Sequence, residues 1–547
     1  MNGDTIRIRE AGDSGVLLEC DPVIDVSINA RVIAIADAMR ARRIAGVRDV
    51  VSTFRSVAVY FDPLLVSIDA VTDALRSAAN APAAPAAGGR VVEVPVSYGG
   101  EAGPDMSELA TRTGLTDIEI ARRHAETTYR VFMLGFLPGF AYMASVDERI
   151  AAPRRVSPRV RVPAGSVAIA GRQTGIYPLD SPGGWQIIGR TSLRVFDPMR
   201  TEPCLFAPGD SVRFVDAGHN AGHLKVASTN TSAPGFSRTG NPTVTVIAPG
   251  LFTTVQDEGR WGHQASGISP AGALDLISHR LANAVVGNSR AAATLEITLQ
   301  GPELRFDRDA VIAVAGADLG PTIDGASLRQ TAATRCRAGS VLRFGDRRTG
   351  TRAYLALSGG IDVAPVLGSR STHAMTGVGG VAGRQLRAGD TLESGEPAAS
   401  ARSPVIAVEP RLRAVRLRAI AGPQDDFFAP AAFAILQQTQ FHVSAQSNRM
   451  GYRLTGGQPI PRDTDREMIS DATFPGGLQI PPSGEPILLM ADRQTTGGYP
   501  QIATVITADL PAAAQLAPGD SVQFELCSRA DAISALVAQE ARLLASI

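Results

Sequence analysis

The chain has 547 residues, 44% apolar and 19% charged, the balance of a folded protein with room for about three or four domains. Its 53 basic and 53 acidic residues cancel, so nothing marks a nucleic-acid or anionic-lipid surface, and no run of about 18 apolar residues marks a membrane span. A single lysine, Lys225, stands among those basic residues, which leaves no P-loop, Schiff-base, kinase or biotin-bearing lysine inside a folded domain.

The N-terminus, MNGDTIRIREAGDSG, has no apolar core of a signal peptide, and Cys20, Cys204, Cys336 and Cys527 form no CxxC pair. Both features predict a cytoplasmic location and exclude a disulfide framework or zinc knuckle. In residues 1–80, RIREAGDSGVLLEC and DVVSTFRSVAVYFD read as strands. SINARVIAIADAMRARR repeats its apolar positions at a helical period, and IDAVTDALRSAANA is a second helix. The β-α-β-α order predicts a small α+β domain, ended by the linker NAPAAPAAGG (80–89).

Residues 91–216 read as short strands bounded by Gly and Pro, with one helical stretch over 106–126. A linker is predicted over 217–242. Residues 243–400 are β-rich with a helix over 272–287, and 404–547 are β-rich with a C-terminal helix, ADAISALVAQEARLLASI.

An internal echo connects two of these regions. GRQTGIYP (171–178) returns as DRQTTGGYP (492–500), VPAGSVAIA (162–170) precedes the first, and IPPSGEPILLMA (480–491) the second. APGDSV occurs at Ala207–Val212 and again at Ala517–Val522. The shared order predicts a duplicated domain over 91–216 and 404–526, with Gln173 and Gln494 at equivalent positions.

Several motifs carry chemistry-bearing side chains. His124 precedes MLGFLPGFAYM (133–143), and SPGGWQIIGRT (181–191) offers a glycine pair where backbone could approach a ligand. A lone histidine in such a setting is more often a core hydrogen-bonding group. VQDEGRWGHQ (255–264) sets Asp257 and Glu258 beside Arg260, a pair that could chelate Mg²⁺ or form a surface ion pair, the latter being favoured. Asn448 and Arg449 in SAQSNRMGYRL could fix a carboxylate, since the guanidinium fork pairs bidentately. ADRQTTGGYPQIATV puts Asp492, Arg493, Gln494 and Thr495 at the mouth of an apolar strand, where burial perturbs pKa values.

LGFLPGFAYM, PRVRVPAGSVAIAGRQTGIYPLDSPGGWQIIGRT and the closing FAPGDSVRF resemble the B subunit of the prokaryotic ATP-dependent 5-oxoprolinases. TVIAPGLFTTVQDEGRWG, GALDLISHRLANAVVGN, LEITLQGPELRF, GGIDVAPVLGSRST, SNRMGYRL and ADRQTTGGYPQIATVITADL resemble the C subunit, so the chain resembles a B–C fusion. Arg172 stands where many B-subunit relatives carry Glu. The resemblance implies cyclophilin-like β-barrels and, with a separate A subunit, ATP-dependent opening of the lactam 5-oxo-L-proline to L-glutamate. It implies ATP and Mg²⁺ as cofactors, with no biotin on this chain, and is compatible with a homo-oligomer. His124 and Asp492 are then expected to handle protons or contact metal. Arg493, Arg260 and Arg449 would hold carboxylate or phosphate. Gln173, Thr174, Tyr177, Asn448, Gln494 and Thr495 would position substrate. On this reading Asp492→Asn cuts turnover by more than about tenfold and leaves the fold intact. Alternatives from relatives are a carboxyltransferase module of a biotin-dependent urea carboxylase and a non-catalytic inhibitor of a histidine kinase.

Overall fold

In the computed structural model, which describes residues 6–81, 89–218, 243–397, 414–463, 466 and 468–546, the N-terminal unit is a four-stranded antiparallel sheet. Its strand order is Arg7–Glu10, Gly15–Glu19, Ser56–Phe61, Val47–Ser52. The run VAVYF (57–61) is apolar at every position because both faces of the sheet are covered. Val57, Val59 and Phe61 pack with Val16 and Leu18 under the helices Val26–Ala41 and Ile68–Asn80. The alternate residues Ala58 and Tyr60, with Leu17 and Val51, pack against Ala472 and Phe474 of the distant C-terminal region. The Asp25 and Ser67 side chains cap the two helices.

Two closed seven-stranded barrels follow the same path. The first uses Val91–Tyr98, Thr128–Leu134, Ala141–Ala144, Ser166–Ala170, Gln173–Ile176, Gln186–Arg190 and Ser211–Asp216. The second uses Ala414–Ala421, Phe441–Val443, Gly451–Thr455, Gly477–Gln479, Ile487–Leu489, Gln501–Val505 and Ser521–Leu526. Around either barrel the strands run first, seventh, second, third, fifth, fourth, sixth, and only the first and seventh pair in parallel. The APGDSV phrase leads into the seventh strand both times. In each copy the aspartate accepts the backbone N–H three residues earlier, Ala207 to Asp210 and Ala517 to Asp520, both at 2.9 Å. The duplication is therefore one of topology.

The Arg-Gln-Thr echo is out of register with it. Gln173 opens the fifth strand of the first barrel, whereas Gln494 lies beyond the fifth strand of the second, in the loop to the sixth. The expected equivalence of Gln173 and Gln494 fails. Counted back from the sixth strand, Gly498-Tyr499-Pro500 stands opposite Gly183-Gly184-Trp185 of the first barrel. A tripeptide on irregular backbone carries no fixed period to hold it in register, whereas the turn aspartate is tied to a strand start.

The helical stretch 106–126 is also two helices, Met106–Thr113 and Asp117–Glu126. Gly114 ends the first in the left-handed region at φ +71°, and Thr116 with Glu119 closes a capping box at the start of the second. Between the barrels, residues 243–397 stack a six-stranded and a five-stranded sheet around Val246, Leu304, Leu295 and Val314, with the helix Leu276–Val285 outside. The last helix, Arg529–Ala545, packs on Ile420 and Ile506. Most of both predicted linkers and the 400/404 boundary lie outside the described residues. No helix among the described residues is long and apolar enough to cross a membrane.

Candidate functional site at the junction of the halves

The loop after the fifth strand of the second barrel, Met490 to Pro500, is where the parts of the chain meet. Phe136 N–H of the MLGFLPGFAYM segment donates to Thr496 Oγ1 at 3.1 Å, and Tyr60 O–H donates to Thr473 O at 2.8 Å. The Asp471 carboxylate accepts the Ser56 hydroxyl. The N-terminal half therefore docks on the second barrel through buried hydrogen bonds as well as apolar surface.

Asp492 is buried and held bidentately by Arg449, Nε to Oδ2 at 3.0 Å and Nη2 to Oδ1 at 2.9 Å. Arg449 also donates to Glu296 and, at 2.6 Å, to Gly272 O. Burial works against its charge, but Asp492 and Glu296 outweigh burial and raise its pKa above the ordinary arginine value. Glu296 further accepts Tyr354 O–H at 2.7 Å and Leu274 N–H at 2.9 Å. The cluster bolts the five-stranded sheet to the second barrel.

Arg260 and His373 lie within the field of Asp492. Arg260, 1% exposed, donates Nε to Val366 O at 2.8 Å and Nη2 to Ser371 O at 2.7 Å, while its Nη1 has no hydrogen-bond partner among the described residues. Burial lowers it to about 10, against the pull of Asp257 and Asp492. His373 is lowered by burial too, and its Nδ1 meets Thr376 Oγ1 at 2.6 Å. The loop that carries it turns tightly at Gly383, φ +66°, where a Cβ would lie 2.0 Å from Gly377 O. Asp257 accepts Ser369 Oγ–H at 2.7 Å and Arg370 N–H at 2.6 Å, which clamps this loop, and Glu258 pairs with Arg290 at 2.7 Å. The favoured ion pair with Arg260 does not form among the described residues: Glu258 takes Arg290 instead, and Asp257 is buried by the loop it holds. Among the described residues no group of three His, Cys, Asp or Glu could hold a metal ion.

Arg493 lines a cleft of about 170 Å³ between the halves. Its Nε donates to Thr473 O at 3.3 Å and its Nη2 to Gln264 Oε1 at 2.5 Å, and its guanidinium lies 5.7 Å from the Tyr60 ring centre. Gln494 is half-buried, with its carbonyl accepting the Thr473 hydroxyl. Thr495 is fully buried, and its hydroxyl has no partner among the described residues. Asn448 is exposed and caps its own turn through Met450 N–H at 2.8 Å.

The remaining expected residues sit in the first barrel. His124 is fully buried between Phe214 and Tyr129, with Nδ1 on Tyr98 O–H at 2.7 Å and Nε2 on Thr174 Oγ1 at 2.9 Å. Thr174 in turn donates to Ala168 O at 3.1 Å. Tyr177 is buried against Phe140, and burial pushes its phenol up to about 12. Gln173 is half-buried and pairs with Ala170 and Ala144 through the backbone. The structure thus gathers Arg260, Arg449, Asp492, Arg493, Gln494 and Thr495 at the junction and keeps His124, Thr174, Gln173 and Tyr177 together in the barrel.

Burial lowers His124 to about 3, so it stays neutral in the folded state while the unfolded chain gains a proton near pH 6.5. The group therefore has no effect on stability above that pH. As pH falls from about 6.5 towards 3, stability drops by about 1.4 kcal/mol per unit. Denaturant unfolding at pH 7 and pH 5 should show a shallower loss for His124→Phe than for the parent chain, by about one proton; an unchanged slope would contradict the burial effect.

Sequence reading missed Glu296, His373 and the cleft residues Arg48 and Tyr60. An acid inside the apolar strand LEITL was a usable signal, since an unpaired charge is rarely buried. Tyr60 offered none, because its strand reads simply as core.

The description "Carboxyltransferase domain, subdomain C and D" matches residues 6–206, and "Carboxyltransferase domain, subdomain A and B" matches residues 266–526. The crystal structure of TTHA0988 superposes at a TM-score of 0.83 with 36% identity, over 95% of this chain and 100% of that one. Fold and junction therefore define a carboxyltransferase-domain protein in which both pairs of subdomains share one chain. The chain is 43% identical over 292 residues to the 5-oxoprolinase C subunit of Escherichia coli strain K12, covering 53% of this chain and 93% of that one. It is 41% identical over 209 residues to the 5-oxoprolinase B subunit of Escherichia coli O157:H7, covering 37% of this chain and 93% of that one. It belongs to the family of 5-oxoprolinase B and C subunits, with the two joined end to end.

Proposed function

We propose that this chain is the B–C component of a 5-oxoprolinase, cytoplasmic, which with a separate A subunit hydrolyses 5-oxo-L-proline to L-glutamate coupled to ATP hydrolysis. The observation that carries the reading is that near-complete counterparts of both subunits lie in one chain and build one cleft between them.

The acids at the junction do not fit a nucleotide-bound Mg²⁺: Asp492 and Glu296 are engaged by Arg449, and Asp257 by the 369–371 loop. Nucleotide and metal are accordingly assigned to the A subunit. This chain's part is to bind and orient the lactam and exclude water from it, which lowers the barrier by fixing geometry. Arg260, Gln494 and Thr495, which do not line the cleft, are assigned to shaping the junction beside it. Asp492, gripped bidentately by Arg449, is assigned to tethering the loop that carries Arg493 and Thr495. His124, Thr174, Gln173 and Tyr177 are assigned to shaping the first barrel.

The test is glutamate formation from 5-oxoproline and ATP with this chain alone, with only the A subunit, and with the two together. Turnover only in the mixture is expected. Absence of turnover with both proteins folded overturns the reading, and carboxyl transfer with a carboxybiotin carrier in its place would assign the chain to urea-carboxylase-type chemistry.

A further inference from the structure

We infer that the cleft between the halves is a binding site for a small lactam monocarboxylate, with Arg493 as the anchor of the carboxylate. This rests on the B–C reading and specifies where its substrate sits.

The charges around the cleft set the ligand's charge. Three other arginines line it, and each is already neutralised. Arg48 pairs with Asp62 at 2.6 Å, Arg280 with Glu540 through bonds of 2.7 and 2.6 Å, and Arg290 with Glu258 at 2.7 Å. Arg493 makes no ion pair with any carboxylate among the described residues. It is 1% exposed, and its hydrogen bonds go to the neutral acceptors Thr473 O and Gln264 Oε1, which engage two of the five donors a guanidinium offers. Burying a cation without a counter-ion is costly, and an entering anion relieves that cost. Burial lowers its pKa, and the opposing pull of Tyr60 and of the more distant Asp49 carboxylate does not offset it.

One uncompensated cation matches one negative charge. A nucleotide triphosphate would bring three or four into a site with a single free guanidinium, so phosphate ligands do not fit. The walls are apolar, with Leu274, Ile277, Met490 and Leu510 facing the space, which suits ring methylenes. Tyr60 stacks beside the anchor. L-Glutamate, the ring-opened product, adds an ammonium and a second carboxylate for which the cleft keeps no free partners. Substrate is therefore held more tightly than product, and ring opening itself promotes release. Because Ser14, Arg48 and residues 60–64 come from the B-like half and the other lining residues from the C-like half, the site is complete only when the halves are docked.

The test is calorimetric titration of the full chain, in the absence of the A subunit, with 5-oxo-L-proline, 2-pyrrolidinone and L-glutamate. Binding of 5-oxoproline is expected to be at least about tenfold tighter than that of the other two, as loss of a charge-assisted contact dictates. Arg493→Gln should weaken it by at least about tenfold. Since removal of a buried arginine can unfold the chain, Ile277→Trp, which fills the cleft from its helical wall, serves as the second variant, with thermal melting as the check on folding. Absence of 5-oxoproline binding to the parent chain, equal affinity in a folded variant, or equal affinity for 2-pyrrolidinone overturns the inference. These outcomes leave the B–C assignment standing if turnover with the A subunit is intact. Lactam binding with no turnover in the mixture instead overturns the assignment.

Discussion

Asp492→Asn is expected to lower the stability of the chain by about 3–5 kcal/mol, the usual cost of removing one partner from a buried ion pair. The Arg449 fork would lose the charge opposite two of its nitrogens, with Glu296 left as its only carboxylate partner in the cluster. Asparagine fits the same space but turns one end of itself into a donor facing a donor. The expectation from sequence, lost turnover with an intact fold, therefore changes: the same substitution should shift both. Turnover with the A subunit should also fall by more than about tenfold, because the loop that Asp492 tethers carries Arg493 and Thr495. Equilibrium unfolding in urea, read beside glutamate formation, checks both. An unchanged midpoint with full activity would show that the pair contributes nothing on either account.

Tyr60→Ala should cost about 3–5 kcal/mol, as for truncation of a fully buried aromatic residue. Its ring lies 5.0 Å from Phe474 and beneath Arg493, and its hydroxyl reaches Thr473 O, so one side chain spans the contact between the halves. The loss should fall on docking more than on either half alone. After cleavage at a protease site inserted between the two halves, size-exclusion chromatography should recover the parent chain as one nicked species and Tyr60→Ala as separating halves. Co-elution of the nicked variant would place the docking energy elsewhere, for example in the Ser56–Asp471 contact.

Much of the fold was legible because it is local. VAVYF and the helix IDAVTDALRSAAN declared themselves by apolar periodicity, and APGDSV by a turn whose aspartate binds a backbone N–H three residues away. The duplication was legible for the same reason, although the phrase that first drew notice was misaligned by one hairpin. Glycine also acted locally at Gly114, where its left-handed conformation split one expected helix into two.

The amino-acid sequence by itself determined the two barrels, the α+β unit, the restriction to a single lysine and the set of arginines from which a site could be made. Only the tertiary structure decided which of them stand free. Arg449 is committed to Asp492 and Glu296, and Arg48, Arg280 and Arg290 to their own acids, whereas Arg493 reaches the cleft with no counter-ion among the described residues. Whether a guanidinium is structural or available depends on partners up to hundreds of residues away along the chain. Periodicity cannot report such pairings, because Coulomb interactions act through space and follow the final packing.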